Sequence, residues 1–291
     1  MVACIRCDSK LPSDKTYKCP SCGGYQFRAP VKSSEPGGSK DGLTVLLGEI
    51  QENEVKRLLT GPWDKAFGGG IPDSSVTLLG GMPGAGKTTL DLQIADAIAC
   101  ASGRECLYIA TEQIPKELKA YGARLQLKSM MGIRVLSTLT GSEALGQLDA
   151  ICDRYKPAGV MIDSLSGLTN DPNDQVFVCH TFKLIAVRSN CPVIIIDHIT
   201  KSDDFAGLMK LQHEVDILLS LYVEEDGRRN LRPMKSRFGP SYTDTYLDMT
   251  DHGLVASARR EDDEPEPIGS SGDSSEEEDN DETGDETDDD A

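Results

Sequence analysis

No stretch of this 291-residue chain comes near the ~18 consecutive apolar residues that a membrane-spanning helix needs. Nor does an apolar, signal-like run follow the first charges at the N-terminus, so the sequence predicts neither a membrane partner nor secretion. A cytoplasmic location follows as the default expectation. Internal repeats are missing as well. Lys and Arg are absent from Glu261–Ala291, a segment that carries 17 acidic side chains. Removing those 17 charges from the formal net charge of -18 leaves -1 for residues 1–260. The body is therefore near neutral with an acidic tail attached, and its overall charge argues neither for nor against a nucleic-acid partner.

What is present suffices for a core, since hydrophobic residues make up 38% of the chain. Nine cysteines in a cytosolic context read as metal ligands and core residues rather than disulfides. Cys100, Cys106, Cys152, Cys179 and Cys191 stand in apolar surroundings and are expected to be small buried hydrophobes. The other four precede residue 23.

Composition divides the chain into four segments. Residues 1–28 are Cys-rich and residues 29–42 have linker composition, with Pro, Gly, Ser and charge. From 43 to 258 apolar strands alternate with helical stretches, and residues 259–291 are too acidic to fold alone. Predicted strands are Ser75–Leu79, Cys106–Ala110, Ile133–Leu136, Gly159–Ile162, Val193–Ile196, Asp216–Val223 and Asn230–Ser236. Predicted helices are Lys87–Ala101, Gly141–Tyr155 and Gln175–Ser189. This alternation defines an α/β fold, a mostly parallel sheet covered on both faces.

Gly81-Met82-Pro83-Gly84-Ala85-Gly86-Lys87-Thr88 matches G-x-x-x-x-G-K-[ST] between a strand and a helix. Glycines let backbone N–H groups converge on phosphate oxygens, and the helix start adds its positive dipole end. Lys87 would reach the β- and γ-phosphates of ATP, Thr88 would place its hydroxyl on Mg²⁺, and Thr89 continues the nucleotide-binding stretch. Val160-Met161-Ile162-Asp163 is an apolar strand ending in a carboxylate, which suits a Mg²⁺-holding Asp163 or a capping aspartate. Glu112 follows the strand Cys106–Ala110 at the carboxyl edge, where ligands bind in α/β sheets. It can be the group that orients the attacking water or an exposed helix-start carboxylate. His198 follows Val193–Ile196 in the same way, with a structural role equally open.

The order of these pieces resembles the bacterial DNA-repair ATPase RadA (Sms), a relative of RecA and the DnaB-type helicases. The resemblance runs from Cys4 to about Leu254. It covers the cysteine pattern, Thr60-Gly61 before Phe67-Gly68-Gly69-Gly70, the P-loop and Tyr108-Ile109-Ala110-Thr111-Glu112. It continues through Ile162-Asp163-Ser164, His198-Ile199-Thr200-Lys201 and Lys235-Ser236-Arg237-Phe238-Gly239. The resemblance implies a RecA-like core in which Glu112 is the catalytic glutamate and His198 senses the γ-phosphate. It implies that Lys235 and Arg237 reach across to a neighbour's ATP within a homohexameric ring. Without it, Lys235 and Arg237 read as an exposed strand face. It further implies single-stranded or branched DNA as partner, with translocation in recombination, repair or replication. An ATP-driven switch and a strand-exchange recombinase are the alternatives.

Two departures stand out. The family carries a C-terminal Lon-protease-like domain, for which this sequence has no residues left; it ends in the acidic tail. Asp197 stands where the family has glycine before the sensor histidine, and Asp203 and Asp204 lie in the loop after it, beside Lys201 and Lys210.

Cys4-x2-Cys7-x11-Cys19-x2-Cys22 has the spacing of a tetrahedral Zn²⁺ site. Four thiolates would close the coordination sphere, making the zinc structural and the source of this small module's folding energy. A pair of redox CxxC motifs is the other reading. Lys10, Lys15, Lys18 and Arg28 could contact phosphate or solvent. The acidic tail is expected to be a solvated extension, or else a mimic of DNA charge that recruits a basic partner.

Overall fold

The computed structural model describes residues 2–3, 10–11, 55–137, 148, 150–197, 211–239 and 243–258. The four cysteines of the predicted zinc module, His198, the loop 200–210 and the acidic tail lie outside these residues. So do the predicted linker and most of the predicted helix Gly141–Tyr155.

A nine-stranded sheet forms the frame. Its central strand, β5 (Val76–Gly81), is buried along its whole length, as expected for a run with neighbours on both sides and helices on both faces. Around it stand β6 (Cys106–Ala110), β7 (Ile133–Ser137), β8 (Val160–Asp163), β9 (Val193–Ile196) and β10 (Ile217–Val223). The order across the sheet is β7-β6-β8-β9-β5-β10, all parallel. The P-loop strand and the strand ending in Asp163 are thus separated by one strand, β9. Beyond β10 the chain turns antiparallel through β11 (Arg229–Ser236), β12 (Thr245–Thr250) and β13 (Gly253–Ala256). Two short pairs complete the strands among the described residues: β1 (Val2–Ala3) with β2 (Lys10–Leu11), and β3 (Arg57–Leu58) with β4 (Ile71–Pro72).

Two apolar layers cover the sheet. On one face α1 (Lys87–Ser102) packs Leu90, Ile94 and Ile98 against Tyr108, Met161, Ile194 and Leu219. Helix α2 (Pro115–Arg124) adds Leu118 to the same layer. On the other face α3 (150–155), α4 (Leu165–Leu168) and α5 (Pro172–Ser189) pack Cys152, Leu165, Val178 and Phe182 against Leu78, Ile109, Ile162 and Ile195. Pro172 at the first position of α5 and the Asp171 carboxylate accepting from the N–H groups of Asn173 and Asp174 explain why α5 begins three residues before the predicted Gln175. Gln93 ties β13 to α1: its amide donates to the Leu254 carbonyl (3.0 Å) and its oxygen accepts from the Leu254 N–H (2.9 Å).

One expectation is corrected. Of the five downstream cysteines, Cys106, Cys152, Cys179 and Cys191 are buried, but Cys100 is exposed. It lies on the solvent side of α1, beside the buried pair Ile98 and Ala99. Burial pushes the thiols of Cys179 and Cys191 up to about 12, so they behave as inert hydrophobes. No helix among the described residues is long and apolar enough to cross a membrane.

Candidate functional site

Because β5, β6, β8 and β9 run parallel, their carboxyl ends open on one edge, and the predicted nucleotide residues gather there. Gly81 ends β5; a Cβ at this position would stand 2.6 Å from the Leu221 carbonyl oxygen of β10. The loop then runs through Met82, Pro83 and Gly84, all exposed, and the buried Ala85. Gly86 caps α1 in the left-handed conformation (φ 108°), which glycine adopts without steric cost. Lys87 opens the helix and curls back: its Nζ donates to the carbonyls of Gly81 (2.7 Å) and Met82 (3.1 Å). Burial lowers the Lys87 pKa, and the opposing pull of Asp163, Asp197 and Glu112 limits that drop. Thr89 is buried on the helix behind the loop.

Thr88 and Asp163 meet across the mouth of the sheet, the Thr88 hydroxyl donating to Asp163 Oδ2 at 2.8 Å. The Tyr108 hydroxyl donates to the same oxygen at 3.0 Å. Tyr108 is fully buried, and burial followed by the nearby Asp91 and Asp163 charges holds it well above the usual phenol range, so it stays a neutral donor. The Thr111 hydroxyl links the β6 and β8 ends, donating to the Asp163 carbonyl (3.0 Å) and accepting from the Ser164 N–H (2.8 Å). The Ser164 hydroxyl donates to Glu112 Oε1 and lies 2.8 Å from Ser166 Oγ. Glu112, itself exposed, is therefore held over the edge beside Asp163 rather than projecting freely.

This donor set fits a nucleoside triphosphate with a divalent cation. The loop has an open flank, since a Cβ on Gly84 would meet nothing within 4 Å. One ammonium, one hydroxyl and one carboxylate converge, and among the described residues no group of three or more His, Cys, Asp or Glu side chains is placed to hold a metal ion. Mg²⁺ characteristically needs only one or two protein ligands, with phosphates and water completing its shell.

Lys235 and Arg237 lie elsewhere. Along β10, Ile217 is level with Thr77 and Leu221 with Gly81, while Ser236 pairs with Ile217. The two basic residues thus sit at the opposite edge, about four residues or roughly 13 Å down the strands from the end of β5. Their side chains bond to Gln212, His213, Val215 and Asp216 rather than to the P-loop.

Residue spacing did not disclose three further groups at the site. Arg229, at the near end of β11, donates from Nε to the Ala85 carbonyl (3.3 Å) and so braces the loop. Tyr108 was legible as a strand residue and as the start of the motif ending in Glu112, with no role of its own. Asp91, one turn after Lys87, is completely buried, and neither carboxylate oxygen has a hydrogen-bond partner.

A P-loop between β5 and α1, with the partner carboxylate on β8, defines a P-loop core with a RecA-like fold. Its fold matches a KaiC-like protein from the archaeon Pyrococcus horikoshii with a TM-score of 0.61, over 70% of this chain and all of that one, at 17% identity. A family profile described as the KaiC ATPase matches residues 60–130. The particular relationship lies in sequence: this chain is a relative of the bacterial protein RadA. It is 33% identical to the DNA repair protein RadA of Haemophilus influenzae over 75% of this chain and 48% of that protein. For the RadA proteins of Pseudomonas aeruginosa and Bacillus subtilis the identity is 29%, over 87% and 82% of this chain and 58% and 55% of theirs. The chain spans about half the length of these curated relatives.

Proposed function

We propose that this protein is a DNA-dependent ATPase of the RadA type that moves along single-stranded DNA in recombination, repair or replication. The observation that carries the reading is the Thr88–Asp163 contact at 2.8 Å beside the Lys87 ammonium, in a chain similar to RadA over most of its length. In this reading the loop Gly81–Thr88 cradles the phosphates with its N–H groups. Lys87 leaves the carbonyls of Gly81 and Met82 for the β- and γ-phosphates. Thr88 and Asp163 hold Mg²⁺, which would draw negative charge off those phosphates. Glu112, fixed by Ser164, orients the attacking water, and His198 senses the γ-phosphate.

Lys235 and Arg237 act on the nucleotide of a neighbouring copy in a homohexameric ring. Their position at the far edge of the sheet supports this, because a residue unable to reach its own P-loop needs a second subunit to matter. A cation supplied this way is worth ~10³–10⁵ in rate. Cys4, Cys7, Cys19 and Cys22 hold a structural Zn²⁺, and the acidic tail is available to a basic partner. ATP turnover with and without single-stranded DNA tests the reading. Stimulation several-fold is expected; an unchanged rate would favour an ATP-driven switch, and open filaments in electron micrographs a strand-exchange recombinase.

A further inference from the structure

The far edge of the sheet holds a group of ionised side chains that the nucleotide site does not use. At its centre is Asp216, the buried residue that leads into β10. Its Oδ2 accepts from the Val76 N–H at 3.0 Å. Its Oδ1 is shared between Lys183 Nζ of α5 at 2.6 Å and Arg237 Nη1 at 3.3 Å. The backbone is fixed as well, with Asp216 N–H donating to the Val76 carbonyl (2.9 Å) and Arg237 N–H to the Asp216 carbonyl (3.0 Å). Arg237 Nη2 donates to the His213 carbonyl at 2.9 Å. Lys235 donates to the carbonyls of Gln212 and Val215, and its pKa is lowered by burial and then by the nearness of Arg237. One residue on, the Phe238 carbonyl accepts from Arg57 Nη2 at 2.8 Å.

Lys183 and Arg237 therefore share one buried carboxylate, with Lys235 close by; Asp216 and Glu214, the two carboxylates that act on Lys235, leave the three cations one positive charge in surplus at an exposed edge. Asp216 cannot neutralise Arg237 fully, because Lys183 takes the same oxygen at the shorter distance. The Arg237 side chain is 46% exposed. With one N–H on Asp216 and one on His213, its remaining donors are available to an incoming anion. A guanidinium held this way needs little reorganisation when charge develops beside it.

The geometry points to Asp216 and Lys183 as positioning residues for Arg237. Together they build, with Lys235, a preorganised site for the polyphosphate of a nucleotide bound by a second copy of this chain. Asp216 aims the guanidinium, and Lys183 keeps Asp216 from capturing it. Lys183 is the part that no β11 motif contains, since it comes from a helix on a different layer. This inference rests on the reading that Arg237 acts on a neighbouring subunit.

The test uses the full chain with ATP, Mg²⁺ and single-stranded DNA. Asp216→Asn keeps the shape and an acceptor for the Val76 N–H but removes the charge. Loss of aim should lower kcat by about 10- to 100-fold, with affinity for a fluorescent ATP analogue unchanged within two-fold. Lys183→Met, on a half-exposed side chain, should lower kcat several-fold with the same unchanged affinity, and Lys183→Arg should restore most of it. A wild-type kcat in Asp216→Asn overturns the inference. If Asp216→Asn unfolds, Lys183→Met decides alone, and a wild-type kcat there overturns it equally. The underlying reading has its own control: Lys87→Ala and Arg237→Ala, each inactive, are mixed. Recovered turnover supports action between copies; no recovery removes that reading, whatever the Asp216 and Lys183 variants do.

Discussion

Replacing Asp91 by Asn should shift stability in the variant's favour as the pH rises. Asp91 is 0% exposed, on the face of α1 that packs against the sheet, and neither of its oxygens accepts a hydrogen bond. Burial, reinforced by the Asp163 charge, raises its pKa well above the ordinary 3.8. The folded state therefore keeps a proton that the unfolded chain releases. Below about pH 3.8 both states are protonated and Asp91 contributes no pH dependence. Above it, folding stability falls by about 1.4 kcal/mol per pH unit until the folded pKa is reached. Asparagine has nearly the same shape and does not titrate. The difference between variant and wild type should therefore widen with pH, by up to ~1.4 kcal/mol per unit. Urea unfolding of both proteins at pH 5, 6, 7 and 8 measures this, because every other titrating group is common to the two. A difference that stays flat across that range would refute the argument that Asp91 lies buried and unpaired.

Other predictions concern the nucleotide and the residues proposed to act on it. Lys87→Ala should abolish binding of ATP-Mg²⁺, read by titration with a fluorescent analogue. Arg237→Ala should leave that binding intact and stop turnover; retained turnover would remove Arg237 from any active site. Tyr108→Phe deletes one donor to Asp163 and should cost about 1 kcal/mol of stability. It should also raise the Mg²⁺ concentration needed for half-maximal turnover, and an unshifted Mg²⁺ curve would show that Tyr108 does not hold Asp163 for the metal. Asp197→Gly removes a carboxylate that acts on Lys87 and should tighten ATP binding a few-fold, whereas weaker binding would mean that Asp197 helps hold the nucleotide.

The parallel half of the sheet was legible because its strands are short apolar runs bounded by turns. Strands β5, β6, β8 and β9 lie close to where the residues predicted them, and the P-loop falls between β5 and α1. The antiparallel end was less legible. In β12 only Thr245 and Leu247 are buried, so that strand does not announce itself as an apolar run, and β13, although apolar, is only four residues long with Val255 and Ala256 exposed. Helix α2 escaped for a similar reason, since Leu118 and Gly122 are its only buried residues. At the site, spacing located Lys87, Thr88 and Asp163 because a local pattern carries each one. Arg229 and Asp216 act through partners 144 and 140 residues away, Ala85 and Val76. Only the strand register brings those together. Asp91 shows the opposite limit: helical period places position 91 on the buried face, yet residue type argues for solvent.

The central claim is that the loop Gly81–Thr88 grips a nucleoside triphosphate together with Mg²⁺. Isothermal titration of the purified full chain with a non-hydrolysable ATP analogue tests it most directly. Saturable binding is predicted, strengthened by Mg²⁺ and lost in Lys87→Ala. An absence of binding heat in wild type, or binding that persists unchanged in Lys87→Ala, would contradict it.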